Sequence, residues 1–554
     1  MEICMKIRFA GQPPIEMEPG KTVLEIIRES GCHLPEWTVA VRRDNRPCSL
    51  STVLSEDCEL VPLTMHSIEG RRIYQKSASL VLLKAFYDVF PGKRIRLLHS
   101  LAKGIYCKAL LGRALTEEDV ARIRERMREL IALDIPFEEE SLSREEALSY
   151  YESIGLVDKA ELLRHLNQDT VRLSRINKVR DLWYFPLVPS TGWLHAWDLV
   201  LHKPGLILRY PDTTDPSRLP DLKEQIKLFS VLSEDSEWSK ILEVTNVGEL
   251  NRAISDHSIS KVIKIAEALH EKKIARIADE IASRKGQIKF ILIAGPSSSG
   301  KTTFAKRLAI QLRVNGIKTA SISTDDYFLP RDRTPRLPNG DYNFEDIIAL
   351  DLDLFNTHLS DLFNGKPIMM PKFSFAAGCA IPEKATRLEP PRDMPVIIEG
   401  IHCLNQELSR SIQRENKYLI YVSALTQLNI DDFNRIPTTD NRLLRRIVRD
   451  SLFRNYSALD TLRRWPEVRA GEERNIFPFQ EQADIMFNSA QIYELAVLKN
   501  YALPRLLQIS PNEPEYGEAR RLANFLTSFL GIEPDEIPPT SILREFIGNS
   551  SFHY

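Results

Sequence analysis

The sequence predicts an α/β protein whose C-terminal half is a parallel sheet wrapped in helices, preceded by a small β-grasp domain and a larger α+β domain. Three observations carry that prediction. With 554 residues the chain is too long for a single hydrophobic core. From about residue 287, short apolar strands alternate with helical segments, the pattern of parallel βα units. Upstream of that point the order differs: short alternating strands come first, then strands mixed with long charged helices.

Residues 1–63 read as the β-grasp unit. MKIRF and PIEME form a hairpin around Gly11, TVLEIIRES is an amphipathic helix after Gly20, and TVAVRR and CELVPL are short strands. This arrangement resembles a TGS domain, the ubiquitin-like module at the front of threonyl-tRNA synthetases and some GTPases.

Residues 64–225 run from HSIEGRRIYQKSASLVLLKAFYDVF through TEEDVARIRERMRELI and FEEESLSREEALSYYESIG to LWYFPLVPSTGWLHAW. In order and phrasing they are similar to the second additional, editing-type domain of threonyl-tRNA synthetases. Where that family carries an HxxxH pair on its first helix, this chain has Lys76 and Leu80, and leucine can neither ligate a metal nor handle a proton. Editing chemistry is therefore not expected. His99, His165, His195 and His202 form no tight HxxxH or CxxH pair, so they read as hydrogen-bonded or surface histidines and no metal is assigned to this half. The resemblance leaves RNA or a regulatory ligand as the partner of the N-terminal domains.

Residues 226–286 are a charged helical connector, with apolar residues at helical spacing as on helices laid against a folded core. In the last region, 287–554, the strands IKFILIA, KTASIST, PVIIEGIH and NKYLIYVSA are joined by ALPRLLQIS as a fifth. EARRLANFLTSFLGI closes the chain as an amphipathic helix.

Composition narrows the classes. Hydrophobic residues at 43% and charged residues at 27% are ordinary for a folded globular chain and exclude a disordered one. A net charge of -2 supplies no global field toward nucleic acid or membrane, so any anion site is local. The cysteines (Cys4, Cys32, Cys48, Cys58, Cys107, Cys379, Cys403) are scattered without CxxC spacing and read as reduced thiols. No window suits a signal peptide or a membrane helix, which makes the cytoplasm the expected address. Oligomeric state, a homo-oligomer included, is left open.

The strongest signal is GPSSSGKTT between a strand and a helix. Gly295, Pro296, Ser297, Ser298, Ser299, Gly300, Lys301, Thr302 and Thr303 cover the pattern G-x-x-x-x-G-K-[ST]. The two glycines let successive N–H groups converge on phosphate oxygens at a helix N-terminus; Lys301 adds a point charge, and Thr302 offers a hydroxyl to a metal ion. Neither the NKxD that reads guanine nor a DxxG switch follows. After the second strand comes STDDYF, where Asp325 can take a proton from a hydroxyl or help hold Mg²⁺. The third strand ends at Glu399, in position for the metal. Acids at strand ends also cap helices, a reading that suits Asp326 better than Asp325. Arg442, Arg445 and Arg449 recur at three- and four-residue spacing, so one helix face presents guanidinium groups, as a lid over transferring phosphate would; taken alone the segment reads as a surface helix paired with Asp440 and Asp450, and the phosphate loop upstream favours the lid.

GPSSSGKTT, STDDYF, YNFEDIIALD, IIEGIH and DNRLLRRIVRD, in that order, resemble uridine kinase, the uridine-cytidine kinase branch that is also similar to phosphoribulokinase and pantothenate kinase. The similarity spans about 287–500, and the whole arrangement resembles a bacterial group of fused uridine kinase-like proteins. The resemblance implies ATP and Mg²⁺ as cofactors, a nucleoside as acceptor, Asp325 as general base, and Glu399, Thr302 and Asp325 around the metal. It also implies Lys301, Arg442 and Arg445 as catalytic cations, Arg449 on the nucleotide, and Arg454 as a looser match. Glu345 stands where the family grips ribose with an aspartate; Phe328, Phe344, Phe373 and Arg442 join it at the acceptor. The family's PxYDFxxH reads PKFSFAAG here, so Phe373 replaces a tyrosine and Gly378 a base-reading histidine. Phe373 either stacks on a ring or is core. Two other readings stand beside the nucleoside: another small hydroxyl substrate, such as a sugar phosphate or pantothenate-like alcohol, and an RNA-associated regulatory NTPase.

Overall fold

The computed structural model describes residues 5–337, 340–389 and 394–554; Cys4 lies outside them. The strand Met5–Phe9 pairs antiparallel with Ile15–Met17, and alternate residues Met5, Ile7 and Phe9 point into a core that their neighbours avoid. The helix Val23–Ser30 is closed at its start by a Thr22–Glu25 capping box and stopped by Gly31 at φ 67°. It covers a sheet ordered Ile15–Met17, Met5–Phe9, Cys58–Thr64, Thr38–Arg43, Arg46–Cys48.

The helix Ile68–Val89 is buried along most of its length. Ser67 caps its N-terminus, and Ile73, Leu80 and Phe86 pack into the cluster that also holds Leu97, Ile105 and Leu206 from a four-stranded antiparallel sheet. Leu80 is thus a core residue. Lys76 reaches the fully buried Asp181 at 2.5 Å and Asn434 at 2.5 Å. Lys159 pairs with Asp181 at 2.5 Å and with Asp431 at 2.9 Å. A buried ionic network therefore spans the two halves of the chain.

Three helices, Ile226–Leu242, Val247–Ser255 and Ile259–Ser283, follow. Ile274, Ile277 and Ile281 of the third share a core with Phe304 and Leu308 of the helix Lys301–Val314. The long amphipathic stripe read from the sequence is here a wall of the parallel-sheet domain.

That sheet is wholly parallel, ordered Ala320–Ser323, Val396–Glu399, Phe290–Ala294, Lys417–Ser423, Ile485–Asn488. Its central strand is buried at every residue, as expected of a strand covered on both faces. The fifth strand corrects the sequence reading. ALPRLLQIS falls largely within the helix Glu494–Leu507, whose Leu495, Leu498, Ala502 and Leu506 are buried at helical spacing. A short apolar run looks the same in a buried strand and a buried helix; the true edge strand, four residues long, gave too little pattern to find. The helix Tyr516–Thr527 packs on the same core and meets the N-terminal unit, where Arg46 donates to the Tyr516 hydroxyl at 2.6 Å. Among the described residues, no helix is long and apolar enough to cross a membrane.

Candidate active site

The strand Phe290–Ala294 delivers the chain into the loop Gly295–Gly300, which opens directly into the helix Lys301–Val314. Gly295 is required sterically, since a Cβ there would stand 2.0 Å from the Val422 carbonyl oxygen. Gly300 sits at φ +81°, where a side chain is strained. Lys301 folds back over the loop and donates to the Pro296 carbonyl at 3.2 Å. The hydroxyls of Ser298 and Ser299 are buried without a hydrogen-bond partner.

Two acids stand beyond this loop, at the ends of neighbouring strands. Glu399 ends one strand, and Asp325 lies in the turn Thr324–Tyr327 just past the adjacent strand, whose Ser323 stands in register with Glu399. The Thr302 hydroxyl donates to Glu399, with its two carboxylate oxygens at 3.1 and 3.0 Å. Burial pushes the Glu399 carboxyl up to about 7, Lys301 opposing and Asp325 adding to the shift. Asp325 has an exposed surface on the cleft yet lies deep among protein atoms, and that surrounding mass raises its carboxyl against the pull of Lys301. Glu345 is likewise raised to about 7 by burial, with Glu472 and Asp325 adding and Arg446 and Lys301 opposing. Asp326 is not a helix cap: Ser323 caps the turn, and Asp326 pairs with Lys372 at 3.1 Å.

The arginine helix Thr438–Phe453 differs from the sequence reading. Arg442 and Arg445, expected as lid cations, are 1% and 0% exposed. Arg442 pairs with Glu472 and donates to the Ser297 carbonyl at 2.9 Å. Arg445 pairs with Glu494 at 2.5 Å and reaches the Ser298 carbonyl at 3.4 Å. Buried charges need partners, and both came from distant segments that spacing does not reveal. These two residues brace the phosphate loop from behind. Arg446 donates to the Ser297 hydroxyl at 2.9 Å and its charge acts on Glu345, which makes it the helix's cation on the site side. Arg449 pairs with Asp450 at 2.8 Å, and the charge of Arg454 is felt at Asp325.

Phe328, Phe344 and Phe373 come together with Phe375, with ring centroids 5.2–5.9 Å apart. Phe373 is only 7% exposed and is core of this cluster; Phe375 at 49% is its open face and was missed by the sequence reading. Gly378 turns the hairpin Phe373–Ser374 to Cys379–Ala380 at φ +74°, and a Cβ there would stand 2.5 Å from Arg331. The turn geometry therefore disfavours a histidine, and Arg331 fills the neighbouring space. Glu472 and Glu545 were also missed: Glu472 accepts the Ser297 N–H at 3.0 Å, and Glu545 accepts the Thr303 N–H at 3.2 Å. No sequence motif marks either.

Among the described residues, no cluster of three His, Cys, Asp or Glu side chains could hold a metal by itself. A magnesium ion suits that arrangement, because it takes one or two protein oxygens and the rest from phosphates and water. Thr302, Glu399 and Asp325 are the oxygens present.

With this geometry established, residues 290–496 match the family model described as Phosphoribulokinase / Uridine kinase family. That stretch is a domain of the phosphoribulokinase/uridine kinase family. Upstream, the N-terminal region matches threonine--tRNA ligases. The ligase of Azoarcus sp. (strain BH72) is 33% identical over 180 residues, which are 32% of this chain and 28% of that protein. The ligase of Desulforamulus reducens is 32% identical over 186 residues, 33% of this chain and 29% of that one. The chain thus spans less than a third of the length of the curated relatives it matches. Among solved structures, a possible uridine kinase from Bacillus stearothermophilus is 18% identical, covering 39% of this chain and 98% of its own at a TM-score of 0.27.

Proposed function

We propose that the phosphoribulokinase/uridine kinase-family domain is an ATP-dependent kinase that moves the γ-phosphoryl group of ATP to the 5′-hydroxyl of a nucleoside of the uridine or cytidine kind. The observation that carries this reading is the Thr302–Glu399 contact facing Asp325 across adjacent strand ends at the phosphate loop. The buried, unpartnered hydroxyls of Ser298 and Ser299 and the raised acids Glu399 and Asp325 fit a polyphosphate and a divalent cation.

When bound, ATP with Mg²⁺ supplies the phosphoryl group and screens its charge. Gly295 to Thr303 would hold the phosphates through backbone N–H groups and Lys301. Asp325 accepts the proton of the acceptor hydroxyl, while Glu399 fixes the Thr302 hydroxyl. Arg446 and Lys301 offset the charge that gathers at the transferring group. Glu345 holds the ribose hydroxyls, and Phe375, backed by Phe328, Phe344 and Phe373, offers a stacking face.

A second reading, a sugar phosphate as acceptor, is favoured by Arg331 beside Gly378, a cation where a base would otherwise be read. ATP turnover against nucleosides, sugars and sugar phosphates separates the two, with Asp325→Ala alongside. Lost transfer with retained ATP binding supports Asp325 as base; unchanged transfer removes that role. ATP consumption that depends on RNA, without any phosphorylated small molecule, overturns the kinase reading.

A further inference from the structure

One large cavity of the molecule lies away from the phosphate loop. It is a cleft of about 1640 Å³ between the two halves, walled by Arg71, Gln75, His99 and Tyr210 on one side and by Arg435 and Thr438 on the other. None of Lys301, Asp325, Glu345 and Glu399 lines it.

Most charged groups on its wall are satisfied. Arg72 pairs with Glu518 at 2.9 Å, Arg521 pairs with Asp440 at 2.6 Å, and Lys103 pairs with Asp212 at 2.7 Å. Arg71 and Arg435 are not. Among the described residues neither has a carboxylate within ion-pair distance. The Nε of each is fully buried and lacks a hydrogen-bond partner. Arg71 makes a long hydrogen bond, Nη2 to the Lys103 carbonyl at 3.5 Å, and also approaches the Tyr210 hydroxyl. The two cations are close enough to oppose each other: burial pulls Arg435 below its ordinary range and the charge of Arg71 adds to the shift, with Tyr210 and the more distant Asp440 opposing. His99 is driven down to about 3 by burial and by Arg435, so it adds no charge of its own.

Two neighbouring guanidinium groups held half out of water with no carboxylate at ion-pair distance are costly unless an anion completes them. The helix Thr438–Phe453 adds donors, because it begins at Pro437 without a side-chain cap and its first turn lines the same cleft. The Tyr210 hydroxyl, donating to Gln75 at 3.0 Å, and its ring beneath Arg71 at 5.4 Å complete a polar, aromatic wall.

We infer that this cleft is a second binding site, taking a small molecule that carries a phosphate group on Arg71 and Arg435. Planar guanidinium pairs match phosphate oxygens two at a time, and the cleft is far larger than the ion alone needs. The site also communicates. The helix whose N-terminus faces it is the helix that braces Ser297 and Ser298 through Arg442, Arg445 and Arg446. An occupant that moves the helix start moves the phosphate loop, whatever the kinase's acceptor is.

The test uses the full chain with Lys301→Ala to disable the phosphate loop, and inorganic phosphate as the probe in isothermal titration. The Lys301→Ala protein binds phosphate saturably; adding Arg435→Gln or Arg71→Gln weakens that binding at least ~10-fold, and Arg435→Lys keeps it within about 3-fold. The lysine variant preserves the charge and guards against loss of folding as the cause, with thermal unfolding of each variant measured beside it. Phosphate binding that disappears with Lys301→Ala alone, or that ignores both arginine substitutions, overturns the proposal. So does a single-stranded RNA that binds through Arg71 and Arg435 and is not displaced by phosphate.

Discussion

Glu545, from a short C-terminal helix, accepts both the backbone N–H and the hydroxyl of Thr303, at 3.2 and 2.6 Å. A carboxylate thus caps the N-terminus of the phosphate-loop helix, where nucleotide phosphates would draw on the same N–H groups and the same positive end of the dipole. The Tyr554 hydroxyl lies 2.8 Å from the same Thr303 hydroxyl. Replacing Glu545 by glutamine removes the competing charge and leaves the size unchanged. ATP affinity should rise by about 2- to 5-fold, since a charge at a helix terminus is worth about 0.3–1 kcal/mol. Equilibrium titration with a fluorescent ATP analogue checks this; weaker binding would show that Glu545 supports the loop.

Asp181 is fully buried and faces two lysines, Lys76 and Lys159. Asp181→Ala leaves both ammonium groups without that partner, and the expected cost is about 3–5 kcal/mol of stability. Lys76→Met should cost much less, because Lys159 still neutralises Asp181. Urea unfolding of the three proteins decides between this ordering and one in which the lysine matters more.

Asp235, in the helix Ile226–Leu242, is buried beside Asn488, which donates to it at 2.6 Å. Burial raises its carboxyl to about 8, Asn488 partly opposing and Glu234 adding. The folded state therefore holds this proton in a window where the unfolded chain has released it. Stability falls as pH rises from about 4, the unfolded value, to about 8, above which the full cost of a buried carboxylate is in place. Asp235→Asn should match the parent near pH 4 and exceed it by at least ~2 kcal/mol above pH 8. Thermal unfolding across that range, read as the difference between the two proteins, measures the effect.

Gly378→His would not install a base-reading side chain. At φ +74° the new residue is strained, and its Cβ meets Arg331 at 2.5 Å. The expected outcome is a loss of about 1–3 kcal/mol and no gain in base selectivity. Adding Arg331→Ala relieves the contact but leaves the backbone strain, so the double variant should recover only part of the loss in the same unfolding assay.

Much of the candidate site is local in the chain and was legible for that reason. The phosphate loop is a run of adjacent residues whose glycines answer a backbone demand, and Asp325 and Glu399 end strands whose apolar runs stand out. The Gly378 substitution was also visible, but its cause, a left-handed turn packed on Arg331, was not. The arginines were visible as a helical stripe, and the stripe misled. Spacing tells which residues share a face and says nothing of what that face meets, so Arg442 and Arg445 read as lid cations when Glu472 and Glu494 hold them behind the loop.

From the sequence alone came the parallel α/β half, its phosphate loop and the order of its acids, because periodicity and glycine chemistry act over a few residues. The tertiary structure decided the long-range partners of buried charges: Lys76 with Asp181, Arg445 with Glu494, and Arg71 and Arg435 left to face one cleft. Those pairings join residues 105 and 49 positions apart. Burial, and with it the cost of each charge, exists only once the chain has closed on itself.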